Sequence, residues 1–312
     1  MRIVFCGTPQ FAVPTLKRLL AEPEFEVLAI FTQPDRPRGR GQQISFSPVK
    51  ELALAAGVPV HQPEKIRDAQ SQELLQSLAP DCIVIIAYGQ IIPARLLPIP
   101  KSGWINLHAS LLPKYRGAAP INWAIANGES VTGITSMRID AGMDTGDMLL
   151  KSEIPIAPDE IAPQLIARLS EAGVPVMLDT LRGLIAASLT PQPQDHTQAT
   201  SAPLLKKEDG LIIWARSAQQ IYNRMRGFDP WPGAYTTFRG QACHLWGQPN
   251  PRQIQNNKAP GQIFFDSNNL LVVCGDGTVL RVLDVKQEGR KRITVSEFVN
   301  GTHLKSGEHF GS

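Results

Sequence analysis

The sequence predicts an α/β chain: an N-terminal Rossmann-like, mostly parallel sheet with helices on both faces, plus a C-terminal OB-like β-barrel. Three observations predict it. Short apolar runs alternate with helical patterns through the first half, as βαβ units require. A stretch rich in Pro, Gln and Thr follows at 190–204, which is linker composition. Beyond it the apolar runs are short and separated by Gly, Asn, Asp and Pro, as in a small barrel. The 312 residues suffice for two domains, expected at 1–189 and 205–312.

Residues 2–6 (Arg-Ile-Val-Phe-Cys) form an apolar strand ending in Gly7-Thr8-Pro9. Thr8 is positioned to cap the next helix, and Pro9 suits its first turn. Leu16, Leu19 and Leu20 fall at helical spacing, with Pro14 early enough to be tolerated. A strand at 27–32 completes the first βαβ unit. A helix at 72–78, an apolar strand at 81–87, a strand at 104–108 and a helix at 120–126 continue the pattern, the last stopped by Asn127-Gly128. Strands at 135–139 and 148–154 precede a helical stretch at 160–184 that Gly173 and Pro175 interrupt. After the linker come a helix at 217–225 and strands at 234–238, 242–246, 261–265, 270–274 and 279–285, with Gly275-Asp276-Gly277 as a hairpin turn.

Composition is that of a globular protein, with 43% hydrophobic and 19% charged residues. The net charge of +3 is unevenly spread: 17 Lys+Arg against 19 Asp+Glu in residues 1–204, then 14 against 9 in 205–312. A basic C-terminal part suits an acidic macromolecular partner. Cys6, Cys82, Cys243 and Cys274 form no CxxC pair, so neither a zinc site nor a disulfide framework is expected, and no metal is called for. No signal-peptide pattern or membrane-spanning apolar stretch is present, which places the expectation in the cytoplasm, with no membrane partner. With no coiled-coil pattern, the expected state is a monomer.

The first strand ends in one glycine, Gly7, so the G-x-G-x-x-G dinucleotide fingerprint is absent. The stretch 103–113 (Gly-Trp-Ile-Asn-Leu-His-Ala-Ser-Leu-Leu-Pro) is more informative. Strand alternation puts Asn106 and His108 on one face, while Ile105 and Leu107 point the other way. Two polar side chains there are costly to bury without a purpose. The acids of 140–147 (Asp-Ala-Gly-Met-Asp-Thr-Gly-Asp) lie in a glycine-bearing loop that fails the calcium-loop spacing. Spacing leaves two readings open: structural pairs and a solvated turn, or a site in which one of these acids orients His108.

Four motifs in order carry a resemblance: Phe5-Cys6-Gly7-Thr8-Pro9, Asn106 to Pro113, Arg116-Gly117-Ala118-Ala119-Pro120, and Asp140 to Asp147. The chain resembles the formyltetrahydrofolate-dependent formyltransferases, over most of its length and most densely in 2–155. The resemblance implies transfer of a formyl group from the co-substrate 10-formyltetrahydrofolate to a primary amine. It makes Asn106, His108 and Asp144 the catalytic residues. His108 would take the amine proton, Asp144 would hold and polarise His108, and Asn106 would donate an N–H to the oxyanion. Ser110, Leu111, Leu112 and Pro113 resemble the family's folate-binding turn.

Two features resemble the tRNA-directed members, whose substrate is the methionine carried by initiator tRNA. The loop 32–43 bears Arg36, Arg38 and Arg40 among Gly and Pro, suited to a phosphate backbone. Arg40 matches the arginine that enters the acceptor stem. The segment Phe228-Asp229-Pro230-Trp231-Pro232 resembles the opening of the family's C-terminal barrel, with Asp229 in place of the usual Asn. Lys206 and Lys207 are further candidates for phosphate contact. A formyl-tetrahydrofolate hydrolase or an amino-sugar formyltransferase with the same core is the alternative.

Overall fold

A computed structural model describes residues 1–38, 43–254, 258–266 and 269–311. By internal contacts they form two units. The first comprises 1–120, 131–155 and 165–203, and the second 121–130, 156–164 and 204–312.

The first unit is built on strands β1 (Arg2–Gly7), β2 (Glu26–Phe31), β5 (Val60–His61), β6 (Cys82–Ile86), β7 (Trp104–His108), β8 (Val131–Arg138) and β9 (Met148–Pro155). Their order across the sheet is β5-β2-β1-β6-β7-β8-β9. The five strands from β5 to β7 run parallel, and β8 and β9 add antiparallel pairs. Ile3, Val4, Phe5 and Cys6 of the central β1 are all fully buried, as a strand covered on both faces requires. β1 neighbours both β2 and β6, so strand order reverses there, and ligand crevices form at the carboxyl ends of strands beside such a reversal. The loop between β2 and β5 carries a two-residue antiparallel ladder, β3 (Pro37–Arg38) with β4 (Gln43–Ile44), and a helix, α2 (Pro48–Ala55).

Thr8 does not cap a helix. Helix α1 (Val13–Ala21) begins five residues later with Pro14 in its first turn. The Thr8 hydroxyl instead donates to the Tyr88 carbonyl (3.2 Å) and accepts from the Gln33 amide (3.3 Å), which ties the ends of β1, β2 and β6 together. The long helix α5 (Ala162–Ile185) is not interrupted by Gly173 and Pro175. An interior proline costs roughly 3 kcal/mol, yet Leu165, Leu169, Met177 and Leu181 are fully buried along this helix, each worth about 1.5–3 kcal/mol. Gly173 serves packing: a Cβ there would come within 2.6 Å of the Leu107 side chain. Helices α3 (Ala69–Leu78) and α4 (Pro120–Ala126) follow the expected pattern.

Residues 190–203, which have linker composition, lie along the first unit. Gln192 and Met148 exchange backbone hydrogen bonds of 2.8 and 2.9 Å, and Arg116 bridges Ser201 in parallel.

In the second unit, α6 (Ala218–Gly227) starts at a capping box of Ser217 and Gln220. Strands β10 (Tyr235–Phe238), β11 (Gln241–Asn250), β12 (Ile263–Asp266), β13 (Asn269–Val273) and β14 (Val279–Gln287) form an antiparallel sheet ordered β10-β11-β14-β13-β12, with β15 (Ile293–Thr294) on β14. Helix α7 (Val295–Thr302) follows. Residues 309–310 close the sheet into the OB-like barrel, since Phe310 bridges Phe238 of the first edge and His309 bridges Gln262 beside the last. Leu245, Val272, Leu280, Val282, Phe298 and Phe310 fill the interior. Among the described residues no helix is long and apolar enough to cross a membrane.

Candidate active site

β7 delivers Asn106 and His108 to the carboxyl end of the sheet. Ile105 and Leu107 are buried on the opposite face, while Asn106 pairs in register with Ile85 and Met137, and His108 with Thr135. His108 is 5% exposed. Its Nε2 lies 2.9 Å from the Tyr115 carbonyl. A carbonyl only accepts, so Nε2 carries the proton and Nδ1 is the basic nitrogen of the neutral ring. Nδ1 faces Asp144 Oδ2 at 3.7 Å. That separation is too long for a hydrogen bond and right for an ion pair once Nδ1 is protonated.

Asp144 stands at φ +53°, in the left-handed region, and the Gly117 N–H donates to its Oδ2 at 2.8 Å. The loop around it is locally determined. The Asp140 carboxylate accepts from the Gly142 N–H (3.0 Å) and the Thr145 hydroxyl (2.7 Å), and a Cβ on Gly146 would collide with the Arg138 carbonyl. Asn106 is partly exposed, and its amide has no hydrogen-bond partner among the described residues. The three side chains singled out by the strand pattern and the acidic loop thus lie at one end of the sheet, with His108 facing Asp144.

The turn after β7 is held by polar side chains of β8 and β9 together with its own Ser110. The Thr135 hydroxyl donates to the Ser110 carbonyl (2.7 Å), Lys151 Nζ donates to the Leu112 carbonyl (2.6 Å), and the Ser110 hydroxyl donates to the Lys114 carbonyl (2.6 Å). Ser110 and Leu112 are 0% and 1% exposed, so their side chains are spent on the turn itself. Leu111 and Pro113 keep partly open surface. Among the described residues no three His, Cys, Asp or Glu side chains are gathered as a metal site would need.

Residues 1–181 match the formyl transferase family model, and residues 204–303 match the formyl transferase C-terminal domain. The chain belongs to the formyl transferase family. Relatives named methionyl-tRNA formyltransferase span its whole length. The one from Solibacter usitatus is 52% identical over 100% of this chain and 99% of its own, and the one from Acidobacterium capsulatum is 50% identical over 100% of both. Among solved structures, the sugar 3N-formyl transferase WlaRD shares the fold with a TM-score of 0.66 at 18% identity, over 93% of this chain and 99% of its own. HypX from Aquifex aeolicus, solved in complex with tetrahydrofolic acid, aligns with a TM-score of 0.60 at 17% identity over 100% of this chain and 51% of its own.

Of the basic residues that suggest RNA contact, Arg36 is exposed and stands 4.0 Å from Glu64. Arg40 and the side chain of Arg38 lie outside the described residues. Lys206 and Lys207 are exposed in the second unit. Sequence reasoning missed Tyr115, whose carbonyl sets the His108 tautomer, along with Gln194 and Thr200. No local pattern signals these roles, because each depends on contacts made far along the chain.

Proposed function

We propose that this formyl transferase moves the formyl group of 10-formyltetrahydrofolate to the free amino group of methionyl initiator tRNA. The observation that carries the reading is the hold on His108. Its Nε2–H is fixed by the Tyr115 carbonyl, leaving Nδ1 as the base, with Asp144 opposite. His108 Nδ1 takes the proton of the attacking amine, the imidazolium so formed faces the Asp144 carboxylate, and the proton passes to the folate nitrogen as its bond to the formyl carbon breaks and tetrahydrofolate leaves. Gly117 N–H keeps that carboxylate turned toward the ring. Asn106, with its amide unspent, donates an N–H to the formyl oxygen as negative charge gathers there, a contribution of about 3 kcal/mol. Leu111 and Pro113 offer the surface of the turn to the folate. The substrate is supported by the full-length relatives of about 50% identity that carry the tRNA-directed name. Arg36, Arg38, Arg40, Lys206 and Lys207 supply phosphate contacts on this reading.

The test is mass spectrometry of methionyl-tRNA incubated with enzyme and formylated folate. A formyl adduct is expected with wild type. His108→Ala is expected to abolish it, and Asn106→Ala to lower kcat by about 10²–10³-fold. Formylation of a free amino sugar with no adduct on methionyl-tRNA overturns the substrate. Near-normal turnover in His108→Ala removes the base.

A further inference from the structure

We propose that Gln194 and Thr200, on the segment of linker composition, are positioning residues that hold the His108–Asp144 pair in its working geometry. The proposal rests on the transfer chemistry above and deepens it.

Both partners of the pair are reached from this one segment, His108 through Tyr115 and Asp144 by a direct hydrogen bond. On the His108 side, Tyr115 stands at φ +61° and presents its carbonyl to Nε2. Its N–H is held by the Thr200 hydroxyl at 2.8 Å. The next residues are laced to the same strap: Arg116 N–H donates to the Thr200 carbonyl (2.9 Å) and Ala202 N–H to the Arg116 carbonyl (2.7 Å). Gly117, which holds the Asp144 carboxylate, therefore sits on a segment fixed from behind.

On the Asp144 side, the buried Gln194 amide spends both of its N–H bonds on the acidic loop. Nε2 donates to the Asp144 carbonyl (2.9 Å) and to the Gly146 carbonyl (2.7 Å). Its Oε1 accepts the Arg116 guanidinium at 3.1 and 2.6 Å. An amide is the group that fits this place, with two donors toward two carbonyls and an acceptor toward a cation. A carboxylate would face two carbonyls with no proton to give, and an apolar side chain would leave both carbonyls unpaired and Arg116 with the His196 ring alone of its two side-chain partners. Asp144, at φ +53°, needs such support, because a non-glycine residue in this region persists only when its surroundings determine it. Asp144 is the charged side chain within ion-pair distance of the imidazole among the described residues, so loosening it changes what a proton on Nδ1 meets.

The test compares Gln194→Met, Thr200→Val and Thr200→Ser with wild type in the full chain. Two readouts are taken: kcat with both Michaelis constants, and ¹⁵N NMR of the histidines and the Gly117 amide without substrate, with His108 assigned from His108→Gln. Gln194→Met and Thr200→Val are expected to lower kcat on the order of 10–10²-fold, as small misplacements do, with both KM values within about twofold. In ¹⁵N NMR at one alkaline pH, wild-type His108 is expected to show the tautomer protonated on Nε2, and Thr200→Val to mix the two tautomers because the Tyr115 carbonyl is no longer held. In Gln194→Met the Gly117 amide, which donates to Asp144, is expected to shift in the same spectra. Thr200→Ser keeps the hydroxyl and is expected to restore kcat to within about twofold of wild type. A wild-type His108 tautomer signature in Thr200→Val overturns the proposal, as does an unmoved Gly117 amide resonance in Gln194→Met, whatever happens to kcat or to the melting temperature. So does a Thr200→Ser variant as slow as Thr200→Val. The NMR readout uses no substrate, so it stands or falls separately from the identity of the amine.

Discussion

Gly117 illustrates how much one backbone position can carry. Its φ of +120° is open to glycine and strained for any other residue, and a Cβ there would lie 2.7 Å from the Ala202 carbonyl. Its N–H meanwhile fixes the Asp144 carboxylate. Gly117→Ala must therefore displace the strap, the 115–117 segment, or both. The expected outcome is a loss of kcat of about 10–10²-fold with a melting temperature lower by a few degrees, read by steady-state formylation and a thermal melt. At this scale the placement of Asn106 and His108 on one face follows from strand alternation alone, and the acids of 140–147 stand out because they are crowded among glycines. The tautomer was not legible, since it is decided by a backbone carbonyl. Gln194 was hidden by its company: among Pro, Gln and Thr it has the look of a solvated linker, and its partners at Asp144 and Gly146 lie about fifty residues back.

Among the elements, those with long apolar runs or clear periodicity are where the sequence indicates them. β6 and β7 read as buried strands, and α6 has a capping box spelled out at Ser217 and Gln220. β5, two residues long, offers no period to detect, and α5 survives Pro175 because apolar burial outweighs the missing bond. The pairing of β11 with β14 has a consequence for pH. His244 lies across from Lys286 in register, and burial, followed by Lys286 and Lys207, pushes its imidazole below the ordinary range. Burial lowers His61 in the same direction. The unfolded chain thus takes up protons before the folded one does. This contribution to stability is complete above the unfolded value of about 6.5 and is lost as pH falls below it. Thermal melts between pH 8 and 5 are expected to show falling stability on the acid side, less steeply in His244→Gln. An unchanged slope in that variant excludes His244 as a source.

In the whole molecule, the second unit depends on the bridges that turn its sheet into a barrel. Phe310 joins the edge at Phe238 and is 2% exposed, with its ring against Trp214, Phe238 and Phe298. Phe310→Ala is expected to cost about 3–5 kcal/mol in urea unfolding of the full chain, and a loss under 1 kcal/mol would show that closure contributes little. The sequence carries a change in strand length and spacing near residue 204 but no sign of the interleaving, because that depends on how 121–130 and 156–164 group with distant residues. That interleaving bears on how such a protein can be divided. A cut near residue 203 does not yield two whole pieces: the front fragment carries off two stretches belonging to the rear unit, and the rear fragment is left without them. Exchanging the second unit between relatives therefore requires swapping three separate stretches of chain together, and a single junction near residue 203 leaves each product incomplete.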